Sequence, residues 1–346
     1  MVGWGRRPAP RASDRAVLRA PRGRARRASL AWDDVGTRRA GRWVLVLALL
    51  ATLSACAGGP APAPTVTSPP APPAPAAPPA DEIGPHGPSV PEEPVALARA
   101  IETAQATVAD PARSPAEVAA AARIAQVAYE ELAFHPERLA PVLAALPPGP
   151  GDVTNRIATA GRDLLAMARG VPGDELPAWR VVEPLPPERL RALYAEAQDR
   201  FGVPWHVLAA VNLVETRMGR IASNSEAGAR GPMQFMPSTW ASYGLGGDID
   251  DPRDAILGAA NYLRANGGDT EADLDRALKR YNNDVRYVRA VRAYAGVMQA
   301  DERAFLGFHA WEVYFRTTSG RVHLPVGYDE PRAVRAVDFL ARTSPR

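Results

Sequence analysis

The 346-residue chain has a single cysteine, Cys56, and a single lysine, Lys279. One cysteine excludes an internal disulfide framework and a thiolate-held metal cluster. The five histidines (His86, His135, His206, His309 and His323) are scattered, and no pair has the helical spacing of zinc ligands. No metal and no nucleotide or redox cofactor is expected. Aromatic residues are sparse, at 7%. The apparent surplus of positive charge belongs to the N-terminus: residues 1–42 hold twelve arginines against three aspartates, and the remainder is net acidic. A basic surface for nucleic acid is therefore not indicated.

Long apolar runs are absent but for one. Residues 43–55, from Trp43 to Ala55, are uncharged and follow Arg38, Arg39 and Arg42. Thirteen residues are short for a bilayer span and suit a signal h-region. The run ends in Leu53-Ser54-Ala55-Cys56. These residues resemble a bacterial lipobox, which implies cleavage before Cys56 and lipidation of its sulfur. Residues 1–55 are accordingly expected to be a lipoprotein signal peptide. The mature chain would sit at the cell envelope, anchored to the outer face of the cytoplasmic membrane.

Proline is abundant, and its distribution marks a linker. Residues 60–94 hold 14 prolines interleaved with alanine, a composition that favours extended polyproline II and cannot bury a core. We read 56–95 as a Pro/Ala-rich linker. Residues 96–175 read as a helical region, with helices over 96–108, 116–132 and 152–168; Ser114-Pro115-Ala116-Glu117 supplies the cap of the second. No catalytic constellation is visible there, and the expected role is scaffold.

The chemistry concentrates further on. Helices are expected over 187–201 and 204–218, and in the second Leu208, Val211, Glu215 and Met218 share one stripe. A carboxylate on an apolar stripe is either ion-paired, here with Arg217 or Arg220, or desolvated with a raised pKa. The second state is what a general acid needs near neutral pH. A glycine-punctuated loop follows, Gly228-Ala-Arg-Gly-Pro-Met-Gln-Phe-Met-Pro-Ser-Thr-Trp240. Its Gln234 offers an amide suited to sugar groups. Tyr281 completes a stripe with Leu274 and Leu278, so a buried aromatic is also a fair reading of it.

Glu215-Thr216, the Gly228–Trp240 block, Arg280-Tyr281-Asn282 and Tyr287-Val288 together resemble the lysozyme-like lytic transglycosylases of bacterial cell walls, over about residues 185–300. The resemblance implies a mainly α, lysozyme-like helical domain with a small β element near Gly228–Phe235. It implies Glu215 as the catalytic acid/base, and Thr216, Met233, Gln234, Phe235, Tyr281 and Asn282 as the lining of the sugar cleft. The implied substrate is the glycan strand of peptidoglycan, cleaved to 1,6-anhydro ends, with other cell-wall enzymes as further partners. Two departures stand out: the family often has serine where Thr216 stands, and Ala-Gly where Asn283-Asp284 stands.

Two other functions fit the same residues. A muramidase would need a second carboxylate to activate water, for which Glu226, Asp248, Asp250, Asp251 and Asp284 are candidates. A glycan-binding scaffold lipoprotein would need no acid. The acidic run Asp248–Asp254 lacks the full calcium-loop pattern, and Asp251-Pro252 reads as a helix start. Residues 301–346 are expected to form a C-terminal extension with a hairpin over 313–324 and a closing helix over 329–343.

Overall fold

The computed structural model describes residues 83–167 and 173–343. The signal peptide, the Cys56 lipidation site and most of the linker lie outside the described residues.

Four helices come first. α1 (Pro94–Ala109) is capped by the Glu93 carboxylate, which accepts from the Val95 and Ala96 N–H groups. α2 (Pro115–Phe134) opens on a reciprocal capping box between Ser114 and Glu117. α3 (Leu139–Ala145) is not among the helices expected from sequence and contains Pro141. Pro141 falls in the first turn, where no intrahelical N–H is required. α4 (Pro148–Met167) starts four residues earlier than its pattern suggests.

After the short strand β1 (Glu175–Leu176) the chain forms α5 (Pro187–Phe201) and α6 (Trp205–Thr216). Gly202, at φ 74°, closes α5 in a left-handed cap. There follow α7 (Pro237–Tyr243), α8 (Pro252–Ala265), α9 (Leu274–Tyr281), α10 (Val285–Ala300) and α11 (Ala304–His309). β2 (Val313–Thr317) and β3 (Gly320–Leu324) form an antiparallel hairpin. The stretch expected as a closing helix is helical only over α12 (Ala336–Thr343). Before it, β4 (Val334–Arg335) pairs with β1, and Asp329 bridges to Arg180. Pro331 and this pairing take the backbone out of helical geometry.

The mainly α architecture with small β elements holds. The element expected near the glycine-rich loop is a single bridge, Arg230 to Phe235. One apolar core runs from Leu97 to Trp311 and joins α1–α4 to the helices that follow. α6 lies at its centre: every residue from Trp205 to Thr216 except His206 is buried. α10 packs on both α6 and α4. A smaller core, including Leu176, Val181, Ile221, Leu324 and Phe339, ties the hairpin and α12 to the loop after α6.

Candidate active site

Glu215 is the penultimate residue of the central helix and is 5% exposed. Its burial follows from the position of α6, which is enclosed on nearly all sides; Met218, the last member of the expected stripe, lies beyond the helix in left-handed conformation. The Tyr287 hydroxyl donates to Glu215 Oε1 at 2.7 Å. Burial pushes the Glu215 carboxyl up to about 8, and the Tyr287 bond opposes that rise. The ion-paired alternative does not occur among the described residues. Arg220 reaches Glu183 at 3.9 Å, and Arg217 lies 5.4 Å over the Trp311 ring. A protonated carboxylic acid fixed at the end of a rigid helix is equipped to donate a proton near neutral pH.

The loop beside it is held by hydroxyls. The fully buried Thr216 donates to the Pro232 carbonyl at 2.6 Å and accepts from the Gly219 N–H at 3.1 Å. Tyr281 donates to the Met233 carbonyl at 2.7 Å. Helices α6 and α9 thus grip successive carbonyls of the loop. The structure places the Thr216 and Met233 side chains behind the wall of the site, both fully buried. Phe235, also buried, is the hub of an aromatic cluster, with Trp240, Tyr281 and Tyr262 at centroid distances of 5.2, 5.8 and 6.4 Å. Edge-on ring pairs of this kind add packing energy beyond area alone.

Gln234 sits at φ 51°, an uncommon conformation for a residue with a side chain. Its Nε2 donates to the Ser223 and Gly231 carbonyls at 3.2 and 3.0 Å. Both amide hydrogens are thereby committed, leaving Oε1 as the group free to accept from a ligand. Asn282 ends α9 and is half-buried, and among the described residues its side-chain amide has no hydrogen-bond partner. Gly231 is needed for this geometry. At φ 72°, a Cβ there would fall 1.9 Å from the Ile249 carbonyl oxygen.

Tyr287 was not singled out as a site residue from sequence. It lies on the same face of α10 as Val291, Tyr294 and Met298. A phenol on an apolar stripe needs a partner for its hydroxyl, the same signal that drew attention to Tyr281. The two rings stack, 6.4 Å apart and 5° from parallel. Because the Tyr287 bond lowers the Glu215 pKa, Tyr287→Phe is expected to raise it. If Glu215 acts as an acid, the alkaline limb of the kcat profile moves to higher pH, by roughly one unit for a bond worth about 1–2 kcal/mol. An unmoved limb would mean that the hydroxyl does not act on the titrating group.

The acidic turn is occupied with its own backbone. Asp251 caps α8 through the Asp254 N–H, Asp254 accepts from the Asp248 N–H, and Asp248 accepts from the Asp250 N–H. Asp250 pairs with Arg230, and Asp284 is held below its usual pKa chiefly by Arg286. Of the five second-carboxylate candidates, Glu226, Asp248 and Asp251 are exposed without an ion pair among the described residues, and of these Glu226 alone accepts no backbone hydrogen bond. No group of three His, Cys, Asp or Glu suited to a metal occurs among the described residues.

Residues 192–303 match the family model of the transglycosylase SLT domain. The matched segment is similar to a transglycosylase SLT domain. It contains Glu215, the Gly228–Trp240 loop, the Tyr281-Asn282 pair and Tyr287. A membrane-bound lytic murein transglycosylase F from Thiobacillus denitrificans is 38% identical over 74 residues, which cover 21% of this chain and 15% of that protein. The chain thus spans a small part of the curated relative it matches. No solved structure matches the chain. The matched segment contributes the buried carboxyl, the loop and the two tyrosines, while α1–α4 and the hairpin come from outside it.

Proposed function

We propose that the chain is a peptidoglycan lytic transglycosylase that cleaves the MurNAc-GlcNAc bond without consuming water, with Glu215 as sole acid and base. The observation that carries this reading is the buried, elevated carboxyl of Glu215 in an SLT domain. Glu215 protonates the glycosidic oxygen as the bond to C1 breaks. Its carboxylate, steadied by the Tyr287 hydroxyl, then takes the proton of the muramoyl C6 hydroxyl as that oxygen bonds C1. The product is a 1,6-anhydro end, and Glu215 returns to its protonated state. One carboxyl suffices, whereas a hydrolase of the common type needs two.

In this reading Gln234 Oε1 and the Asn282 amide meet sugar groups. Thr216 and Tyr281 hold the loop that presents them, and Met233 and Phe235 support it from beneath. We propose an envelope location with a lipid on Cys56. Among the described residues no helix is long and apolar enough to cross a membrane.

Digestion of purified peptidoglycan and mass analysis of the soluble fragments test the reading. Anhydro ends from wild type and from Glu226→Gln alike are expected. Reducing ends that disappear in Glu226→Gln would identify a hydrolase with Glu226 as its base. Release of neither product, with the wall retained on the protein, would favour a binding scaffold.

A further inference from the structure

A cavity of ≈ 760 Å³ adjoins the candidate site and is built largely from outside the SLT domain. That volume lies within the range of about 300–1,000 Å³ that encloses a drug-sized ligand. On one side the cavity meets Gln234 of the candidate site, together with Arg217 and Val214, the sequence neighbour of Glu215; Glu215 itself does not line it. On the other, α2 supplies Glu130 and the β2–β3 hairpin supplies Arg316 and Arg321.

The three arginines are not equivalent. Arg316 and Arg321 both bond Glu131 Oε1, at 3.2 and 3.0 Å, and the Arg316 guanidinium also lies 4.0 Å over the Phe134 ring. Their charges are largely answered within the fold. Arg217 is half-buried, forms no ion pair among the described residues, and lies over the Trp311 ring. Glu130 senses the Arg217 charge but lies beyond ion-pair distance, and its Oε1 accepts from Gln126 at 3.0 Å. Arg217 also holds a left-handed backbone, φ 54° and ψ 54°, two residues after the acid. Non-glycine residues in that region cost energy and gather at functional sites. A partly desolvated guanidinium facing a cavity is strongly favoured by an incoming carboxylate.

We propose that this cavity is a subsite for the peptide carried by the muramoyl sugar, in which Arg217 binds a peptide carboxylate. The inference rests on the transglycosylase reading for the identity of the substrate. In that reading the muramoyl sugar lies against Glu215, and its peptide branch leaves the glycan axis sideways. The cavity meets the candidate site at Gln234 and extends to residues of α2 and the hairpin. The helices and hairpin outside the SLT domain would then select for peptide-bearing strands.

The test titrates the full chain with a synthetic tetrapeptide stem, its carboxylates either free or amidated, followed by tryptophan fluorescence. Wild type is expected to bind the free acid at least about tenfold tighter than the amide, as one charge-assisted bond contributes. Arg217→Gln should erase that discrimination, and Glu215→Gln should keep it. Should the glutamine variant not fold, Arg217→Gly removes the guanidinium while suiting the left-handed backbone. In turnover, the wild-type preference for peptide-bearing over stripped strands should collapse toward unity in the same variant. No binding to wild type, equal binding of acid and amide, or discrimination that survives in Arg217→Gln and Arg217→Gly would overturn the proposal. Peptide binding needs no bond cleavage, so loss of the transglycosylase reading would leave this titration to decide by itself.

Discussion

Replacing Glu215 with glutamine should lower the rate of strand cleavage by about 100- to 10,000-fold, the range that a positioned general acid supplies. The same change should leave the protein folded and, at alkaline pH, more stable. Glutamine is isosteric with a protonated glutamate and keeps an acceptor for the Tyr287 hydroxyl, which donates to Oε1 at 2.7 Å. The stability effect has a definite sign. The folded-state pKa of Glu215, pushed up to about 8, exceeds the ordinary value of 4.5. Between those values the unfolded chain has released a proton that the folded chain keeps. Stability therefore falls as pH rises through this window, by about 1.4 kcal/mol per pH unit. Below pH 4.5 the two proteins should melt alike; toward pH 8 the variant should melt higher. Parallel curves of melting temperature against pH would show that the wild-type carboxyl is not held neutral by burial.

Gly231→Ala is the second change with a large expected effect. The backbone sits at φ 72°, which costs an L-residue about 1–2 kcal/mol. The added methyl would also lie 1.9 Å from the Ile249 carbonyl oxygen. Loop and neighbour must separate, and with them the carbonyls gripped by Thr216 and Tyr281. We expect a loss of about 2–4 kcal/mol in denaturant unfolding and a fall in kcat beyond what lost folding explains, because Gln234 is displaced. Gly228→Ala is the control. It shares a positive φ, 84°, but has nothing within 4 Å of the new methyl. Its cost should stop near the backbone term. Equal losses in the two variants would mean that the close approach at Ile249 does not shape the site.

These expectations draw unequally on sequence. Glu215 was legible because a carboxylate between Leu208, Val211 and Met218 breaks an apolar pattern. The loop was legible because its glycines and prolines restrict what the backbone can do. The helix caps at Ser114 and Asp251 could also be read directly, since short-range hydrogen bonds write themselves into adjacent residues. Thr216 shows the limit. Its hydroxyl looks like a ligand for sugar until the fold brings the Pro232 carbonyl, sixteen residues away, to 2.6 Å. Tyr287 shows another: its bond to Glu215 spans 72 residues, and periodicity reports that a phenol is buried but not what it meets. The cavity lined by Glu130, Arg217 and Arg316 had no sequence signal, because its walls come from many separate stretches of chain. The short β1–β4 pair was missed for the same reason; two-residue strands paired across the chain carry no pattern of their own.

The most direct test of the account is cleavage of purified peptidoglycan by the full chain in water enriched in heavy oxygen. New muramoyl ends formed by the C6 hydroxyl take no oxygen from solvent. The account predicts anhydro ends free of heavy oxygen, formed by wild type and lost in Glu215→Gln. New ends that carry one heavy oxygen would show that water attacked C1, and would contradict Glu215 as sole acid and base.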